Sequence, residues 1–281
     1  MKTINIFGST GMIGTKSLKI IKDYFPDIKI NILVAKKNYK KLAKQAIVYK
    51  PEYICLIDKS KQKNLKEELN NSKVKVLIDT ELFVYLKEIK SDLTILSISG
   101  YKSLHYIQSI IINTKILGIV SKECIIAGGN LIKKLCLLHK TKLYALDSEH
   151  FSIQNFFDKK INIEPDYIKN IYLTASGGPF LNKNYKDINS ASFKDAIKHP
   201  KWKMGVKNSI DSANLVNKCL EIIEAHYLFN IKYEKLKILI HPESLIHSIL
   251  EFTDYTSNLN YFYHDMFIPI FNFFQISCKS T

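Results

Sequence analysis

The sequence has few cysteines, and none of them are arranged as a pair. Its five cysteines are odd in number and far apart: Cys55, Cys124, Cys136, Cys219 and Cys278. A scattered set without a C-x-x-C motif indicates neither a disulfide framework nor a zinc site. Reduced thiols, as in cytoplasmic proteins, are therefore expected.

Long apolar runs and targeting signals are also missing from the sequence. The longest apolar run near the end, 267–274, is interrupted by Pro269 and Asn272, and it is much shorter than the roughly 20 residues that span a bilayer. The first predicted strand, Ile4–Phe7, begins almost at once, which leaves no room for a targeting peptide. We therefore predict a cytoplasmic protein that does not contact a membrane.

The net charge of +15 comes from lysines scattered along the whole chain. No nucleic-acid-binding motif of the usual kinds is present. We attribute the charge to a composition rich in Lys, Ile, Asn and Tyr, although local lysines could still bind phosphorylated small molecules. Nucleic acid is not an expected partner.

With 281 residues and 46% hydrophobic content, the chain can form two domains. Residues 1–145 alternate near-continuous apolar strands with helices, which predicts an α/β domain with a doubly wound parallel sheet. Residues 146–260 read as an α+β domain, with a polar, irregular stretch over 181–208 that contains Trp202, the only tryptophan. The tail from Tyr261 has no clear pattern.

A glycine-rich turn follows the first strand. Gly8, Gly11 and Gly14 are three residues apart, and a predicted helix starts at Ile13. Such a turn brings a pyrophosphate close to backbone N–H groups at a helix N-terminus, so the pattern predicts a dinucleotide site.

The end of the second predicted strand, Ile28–Ala35, favours NADP over NAD. An acidic residue there would hold the ribose hydroxyls of NAD, but this strand is followed by Lys36, Lys37 and Asn38. Two cations and an amide suit a 2′-phosphate. The alternative is a solvated pair of lysines in a lysine-rich chain.

An acidic pair, Asp147 and Glu149, follows the apolar residues 144–146. Residues i and i+2 of a strand project to the same side, so both carboxylates could bind one Mg²⁺ or Mn²⁺ ion. The alternative is a solvated acidic turn.

Three further segments are unusually polar for their places in the pattern. Lys122 and Glu123 follow a predicted strand, 116–120, where ligands of α/β sheets bind, although Ser121 could simply cap a helix. The turn at 176–179 could bind phosphate or be a plain turn.

A helix predicted over 211–229 carries a polar stripe that is either solvated or functional. On that helix, Ser212, Asn217 and Lys218 could bind phosphate and hydroxyl groups, and Glu221 could add a third carboxylate to the metal site.

These motifs, in this order, resemble the 1-deoxy-D-xylulose 5-phosphate reductoisomerase family. The matching strings are GSTGMIG at 8–14, SKE at 121–123, DSEH at 147–150, SGGPF at 176–180, HPKWKMG at 199–205, DSANLVNKCLEIIEA at 211–225 and HPESLIHS at 241–248. The resemblance covers about residues 1–250 and implies a Rossmann-like domain followed by a catalytic domain. It also implies that the family's C-terminal helical domain is absent, with 261–281 as a remnant of the linker to it.

The resemblance assigns roles to individual residues. Contacts to NADPH would come from Thr10, Gly11, Met12, Ile13, Lys36, Lys37, Asn38, Ser121, Glu123 and Gly205. The divalent metal (Mn²⁺, Mg²⁺ or Co²⁺) would be held by Asp147, Glu149 and Glu221. The substrate would contact Lys122, Ser148, Glu149, Ser176, His199, Ser212, Asn217, Lys218 and Glu221, of which Lys122, Glu149 and His199 would be catalytic. His150 and His247 would have supporting roles, and Trp202 would lie in a lid over the substrate.

The implied reaction is the NADPH-dependent rearrangement and reduction of 1-deoxy-D-xylulose 5-phosphate to 2-C-methyl-D-erythritol 4-phosphate in isoprenoid biosynthesis, by a bacterial-type homodimer. The family usually has Asn at the position of Ser121, a small polar residue at that of Met12 and Gly at that of Lys36. The alternative function is that of a truncated, inactive remnant that only binds NADP(H).

Overall fold

The computed structural model describes residues 1–69, 72–159, 165–198, 201 and 205–279. The chain divides into two compact units. Unit 1 contains Met1–Leu146 and the chain from Pro269 onward, and unit 2 contains Asp147–Ile268. Among the described residues, none of the helices has both the length and the apolar character to cross a membrane.

Unit 1 is built on a seven-stranded sheet with the order β4-β3-β2-β1-β5-β6-β7. All of its neighbouring strands are parallel. The strands are β1 (Thr3–Phe7), β2 (Lys29–Ala35), β3 (Tyr53–Leu56), β4 (Lys75–Leu77), β5 (Ser91–Leu96), β6 (Thr114–Ile119) and β7 (Lys142–Ala145). The helices are α1 (Met12–Tyr24), α2 (Tyr39–Tyr49), α3 (Gln62–Glu68), α4 (Asp79–Glu88), α5 (Leu104–Ile112) and α6 (Lys122–His139).

The central strands of this sheet are apolar because both of their faces are covered. Six consecutive residues of β2, from Ile30 to Ala35, are buried, as are the last four of β1. The strand order reverses between β1 and β5, so ligands are expected at the carboxyl ends of these two strands. The predicted Rossmann-like doubly wound sheet is confirmed.

The end of the chain differs from the unpatterned tail that we predicted. Residues Phe267–Lys279 form a helix, α12, in which Phe273 and Phe274 are buried. The ring of Phe273 lies 5.4 Å from that of Tyr144 on β7. The alternation of aromatic and aliphatic residues here reflects a helix that packs on unit 1, rather than a chain without regular structure.

Unit 2 contains a four-stranded mixed sheet with the order β11-β10-β8-β9. Strand β10 is antiparallel to both neighbours, and β8 and β9 are parallel. The strands are β8 (Ile168–Ala175), β9 (Leu236–Ile240), β10 (Ile246–Phe252) and β11 (Ser257–Tyr261). The helices are α7 (Ser148–Lys159), α8 (Tyr185–Asn189), α9 (Phe193–Ala196), α10 (Val206–Ala213) and α11 (Val216–Phe229). The core of the unit lies between the sheet and helices α7 and α11, around Ile153, Leu173 and Ala225.

The helix predicted over 211–229 is in fact two helices. Helix α10 ends at Ala213, and α11 begins at Val216. Between them, Leu215 has a φ of +61°. This left-handed conformation is unusual for a leucine. It separates Ser212, on α10, from Asn217, Lys218 and Glu221, on α11.

Candidate active site

The glycine-rich turn lies in unit 1, at the carboxyl end of β1. Gly8 has a φ of +83°, and a Cβ atom there would lie 2.7 Å from the Ser97 carbonyl oxygen, just after β5. A Cβ atom on Gly14 would lie 2.5 Å from the Gly8 carbonyl oxygen. Both positions therefore require glycine, and the turn sits where the strand order reverses.

The turn presents donors for an anion. Helix α1 starts at Met12, and its first N–H groups have no acceptor within the helix. The first turn contains no acidic residue that would repel a phosphate. Gly11 precedes the helix and is exposed. These features of Thr10, Gly11, Met12 and Ile13 fit the pyrophosphate of a dinucleotide.

The loop after β2 contains the three residues predicted to contact a 2′-phosphate. Lys36 and Lys37 are exposed, and the Asn38 side chain accepts a hydrogen bond from the Lys41 N–H at 3.1 Å, which caps α2. Asn38 thus has a structural role in addition to the predicted one. The two exposed cations fit a phosphate group.

Ser121, Lys122 and Glu123 form the start of α6, at the carboxyl end of β6. The Ser121 hydroxyl accepts a hydrogen bond from the Cys124 N–H, so the residue is a helix cap, as the alternative interpretation held. Lys122, however, is only 8% exposed. Burial of a lysine at a ligand-binding edge is unlike an ordinary helix start.

The acidic pair lies in unit 2, and its geometry differs from the one we predicted. Strand β7 ends at Ala145, and Glu149 lies in the first turn of α7 instead of on a strand. The Asp147 carboxylate accepts a hydrogen bond from the Glu149 N–H at 3.2 Å. The two carboxylates are therefore brought together by a helix start and not by the alternation of a strand.

Three carboxylates converge in unit 2. Oxygen atoms of Asp147, Glu149 and Glu221 all lie within 4.8 Å of one another. Hard divalent cations prefer such oxygen ligands. The donor set fits one Mg²⁺ or Mn²⁺ ion, and Glu221 supplies the third carboxylate that was expected from the polar stripe of the helix.

Lys218 supplies positive charge inside this carboxylate cluster. Its Nζ atom lies 2.7 Å from Oε1 of Glu149 and also forms an ion pair with Glu221. Burial opposes the charged form of Lys218, but the two carboxylates outweigh it and raise its pKa above the ordinary value. The charged residues of the α11 stripe, Lys218, Glu221 and Glu224, are thus buried instead of solvated.

His150 links the cluster to a further acid. Its Nδ1 atom lies 3.1 Å from Asp147 and 3.4 Å from Glu224, and its Nε2 atom lies 2.9 Å from the Glu221 carbonyl oxygen. Burial opposes the imidazolium, but Glu224 and Asp147 outweigh it and raise the pKa of His150 to about 9. We did not predict the role of Glu224, although its position three residues after Glu221 on the same stripe was visible.

Two of the segments predicted to bind phosphate, the turn at 176–179 and α10, pack on each other in unit 2. Ser176 follows β8, and its hydroxyl accepts a hydrogen bond from the Gly178 N–H at 3.2 Å. A Cβ atom on Gly178, whose φ is +71°, would lie 2.7 Å from the Ser212 carbonyl oxygen. Asn217 donates a hydrogen bond to the Glu221 carboxylate. The turn at 176–179 therefore packs on α10, and its role in phosphate binding stays a prediction.

Part of the predicted lid lies outside the described residues. His199 and Trp202 are among these, so their predicted roles stay predictions. Gly205 precedes α10 and is exposed.

Ser148 is buried, and its hydroxyl donates a hydrogen bond to Glu149. His247, on β10, is buried, which lowers its pKa to about 4.

Comparisons with known proteins give the same family as the motifs. The sequence profile of 1-deoxy-D-xylulose 5-phosphate reductoisomerase matches residues 4–129, and that of the family's C-terminal domain matches residues 143–229. The reductoisomerase of Pelagibacter ubique is 45% identical over 97% of this chain and 70% of the relative. That of Lawsonia intracellularis is 41% identical over 96% of this chain and 67% of the relative.

The chain belongs to the 1-deoxy-D-xylulose 5-phosphate reductoisomerase family. It is an NADP-dependent oxidoreductase, as the sequence predicted. Solved structures of the family agree with this assignment. A reductoisomerase in complex with NADPH, fosmidomycin and magnesium superimposes with a TM-score of 0.90 at 31% identity, covering 98% of this chain and 69% of that one. The Zymomonas mobilis enzyme in complex with NADPH has a TM-score of 0.85 at 33% identity, covering 96% and 69%.

Proposed function

We propose that the chain converts 1-deoxy-D-xylulose 5-phosphate to 2-C-methyl-D-erythritol 4-phosphate in isoprenoid biosynthesis, with NADPH and a divalent metal ion as cofactors. The observation that carries the proposal is the cluster of Asp147, Glu149 and Glu221, with oxygen atoms within 4.8 Å of one another. The phosphate-binding candidates Asn217 and Lys218 contact the same cluster. A homodimer and a cytoplasmic location stay predictions of the sequence.

The carboxylate cluster holds the metal in this proposal. When bound, a divalent ion polarises the ketone and stabilises negative charge on the neighbouring oxygens. Asp147, Glu149 and Glu221 provide its protein ligands, which are acceptors only and carry the charge that favours a cation. Ser148, hydrogen-bonded to Glu149, lies between two ligands and can orient a substrate hydroxyl.

The phosphate end of the substrate is bound by polar and charged residues from three segments. Ser176 lies after β8, Ser212 on α10, and Asn217 and Lys218 on α11. Hydroxyl, amide and ammonium donors together match the acceptor oxygens of a phosphate. Lys122 orients the carbon skeleton, and His199 contacts the substrate as part of the lid.

The cofactor is bound by the turn at 8–14 and the loop at 36–38. When bound, NADPH supplies the hydride that reduces the aldehyde produced by the rearrangement. Thr10, Gly11, Met12 and Ile13 hold its pyrophosphate, and Lys36, Lys37 and Asn38 bind its 2′-phosphate. Ser121, Glu123 and Gly205 contact the rest of the cofactor.

Turnover by the purified chain tests the proposal. With the ketose phosphate, Mn²⁺ and NADPH, we expect the absorbance of NADPH to fall, and Glu149→Gln or Glu221→Gln to abolish the change. Glu234→Gln is the matched control, because Glu234 is exposed and pairs only loosely with Lys232 at 3.8 Å. NADPH binding without turnover would instead support the inactive remnant, and full turnover in the cluster variants would exclude the metal assignment.

A further inference from the structure

Gln45 makes a buried hydrogen bond to the glycine-rich turn from a different helix. Its Nε2 atom donates to the Ser9 carbonyl oxygen at 2.8 Å, across 36 positions of sequence. Gln45 lies on α2 and is 5% exposed. Because the Ser9 carbonyl can only accept, the orientation of the amide is determined by this contact.

This amide is poorly explained by packing alone. Within the described ranges, neither Oε1 of Gln45 nor the hydroxyl of Ser9 has a hydrogen-bond partner, although both are buried. A buried polar group that is only half satisfied costs stability, so an apolar residue would serve a purely structural position better. Such groups are kept where a function requires them.

The contact sets the direction of a neighbouring donor. The Ser9 carbonyl and the Thr10 N–H belong to one peptide group, which is planar and trans, so the two point in opposite directions. In the part of the chain that the structure describes, the Thr10 N–H makes no hydrogen bond. By holding the carbonyl, Gln45 directs this N–H away from α2.

The rest of the turn is anchored by the backbone of β2. The N–H groups of Gly8 and Ser9 both donate to the Val34 carbonyl oxygen, at 2.8 and 3.0 Å. Those bonds lie before the Ser9 carbonyl and do not involve its peptide group. The hydroxyl of Thr15 approaches the same carbonyl only at 3.4 Å and donates to Gly11 at 2.6 Å.

We propose that Gln45 is a positioning residue for the cofactor: it orients the Thr10 N–H toward the pyrophosphate by holding the Ser9 carbonyl. The inference rests on the proposed binding of NADPH by the turn. Helix α2 follows directly after Lys36, Lys37 and Asn38, so one helix supports both phosphate-binding segments of unit 1.

The test measures NADPH and NADH binding by fluorescence titration of the full chain. Loss of one oriented donor should raise the Kd for NADPH about tenfold in Gln45→Met. The Kd for NADH should rise by the same factor, because Lys36 and Lys37 are untouched. In turnover, the KM for NADPH should rise by more than kcat falls. Gln45→Glu, which has the same shape but repels the carbonyl, should weaken binding at least as much.

Gln62→Met is the matched control. Its Nε2 atom donates to the Leu56 carbonyl at 3.3 Å, a bond of the same kind in the same unit, and its loss should leave both Kd values unchanged. Equal Kd values in Gln45→Met and the wild type would overturn the inference, as would unfolding of both Gln45 variants. If the ratio of the Kd for NADH to the Kd for NADPH fell in the Gln45 variants, α2 as a whole would be disturbed. That result would also overturn the inference. No NADPH binding by the wild type would instead refute the proposed function.

Discussion

At the scale of single residues, Lys218 is the counter-charge of the carboxylate cluster. It is almost fully buried and contacts both Glu149 and Glu221. Three carboxylates in so small a volume repel one another strongly unless a cation or a bound proton offsets their charge. In the metal-free protein, the lysine ammonium supplies positive charge beside Glu149 and Glu221, and His150 supplies it beside Asp147.

Lys218→Met should therefore destabilise the metal-free protein. Removing one partner of a buried ion pair leaves uncompensated charge, which typically costs about 3–5 kcal/mol. The midpoint of thermal unfolding in a chelator should fall, and Mn²⁺ should restore part of the loss. Lys232→Met, which removes an exposed lysine, should leave the midpoint unchanged. Equal midpoints for the two variants would contradict the role given to Lys218.

His247 should make the stability depend on pH below neutrality. Burial lowers its pKa from 6.5 to about 4, so the unfolded state binds a proton at a higher pH than the folded state does. The free energy of unfolding is therefore unaffected by protonation of His247 above about pH 6.5. It decreases by about 3 kcal/mol as the pH falls to 4, because the unfolded state then binds the proton more readily.

The comparison is between the wild type and His247→Gln, in urea unfolding at a series of pH values. The glutamine can still donate to the Phe262 carbonyl, which His247 contacts at 3.2 Å, but it does not titrate. We expect a smaller loss of stability between pH 6.5 and 4 in the variant. Parallel curves for the two proteins would rule out a neutral, buried His247.

At the scale of elements, one face of α11 carries candidates for both metal binding and phosphate binding. Asn217 and Lys218 are candidates for phosphate binding, yet both contact Glu221, a candidate metal ligand. A cation on Glu221 would compete with these contacts and release both side chains toward a phosphate. Binding at the two places should therefore be coupled, and the coupling must be reciprocal.

Inorganic phosphate should accordingly tighten Mn²⁺ binding. We expect the Kd of Mn²⁺, measured by the electron paramagnetic resonance of the free ion, to fall at least about fivefold in the wild type. The same addition should have little effect in Lys218→Met, and this variant corrects for direct association of the ion with phosphate. An equal change in both proteins would exclude coupling through Lys218.

How far the elements were predictable depends on local pattern. The strands of unit 1 are buried on both faces, so apolar runs such as the one in β2 mark them closely. The break before α11 was not visible at Leu215, because leucine is a good helix former. Asn214 was the available signal, since its side chain accepts a hydrogen bond from the Val216 N–H at 3.1 Å, a local turn that competes with the helix. Asp147 was wrongly placed on a strand. The three apolar residues before it predict a strand, but they do not show where that strand ends and the next helix begins. Candidate site residues could be named from the sequence because their chemistry, unlike their exact conformation, depends on residue type and on the motifs that contain them.

At the scale of the whole molecule, unit 1 contains residues from both sides of unit 2 in the sequence. Helix α12 returns to the first unit after the whole of unit 2, and its Phe273 is 1% exposed. A Cβ atom on Gly118 of β6 would lie 3.1 Å from the Phe273 ring, so the small residue on the strand makes room for the aromatic one. Phe274 packs on Phe25, after α1, with ring centroids 5.5 Å apart.

Phe273→Ala should destabilise unit 1 specifically. Truncation of a buried phenylalanine leaves a cavity and typically costs about 3–5 kcal/mol. Under the proposed function NADPH binds unit 1 and stabilises it by mass action, so the unfolding transition that shifts with NADPH is the one that should move to lower temperature. Tyr263→Ala, in unit 2, is the control, because its side chain is mostly exposed. If the NADPH-dependent transition were unmoved in Phe273→Ala, α12 would contribute nothing to the nucleotide-binding unit, and the two ends of the chain would not share one core.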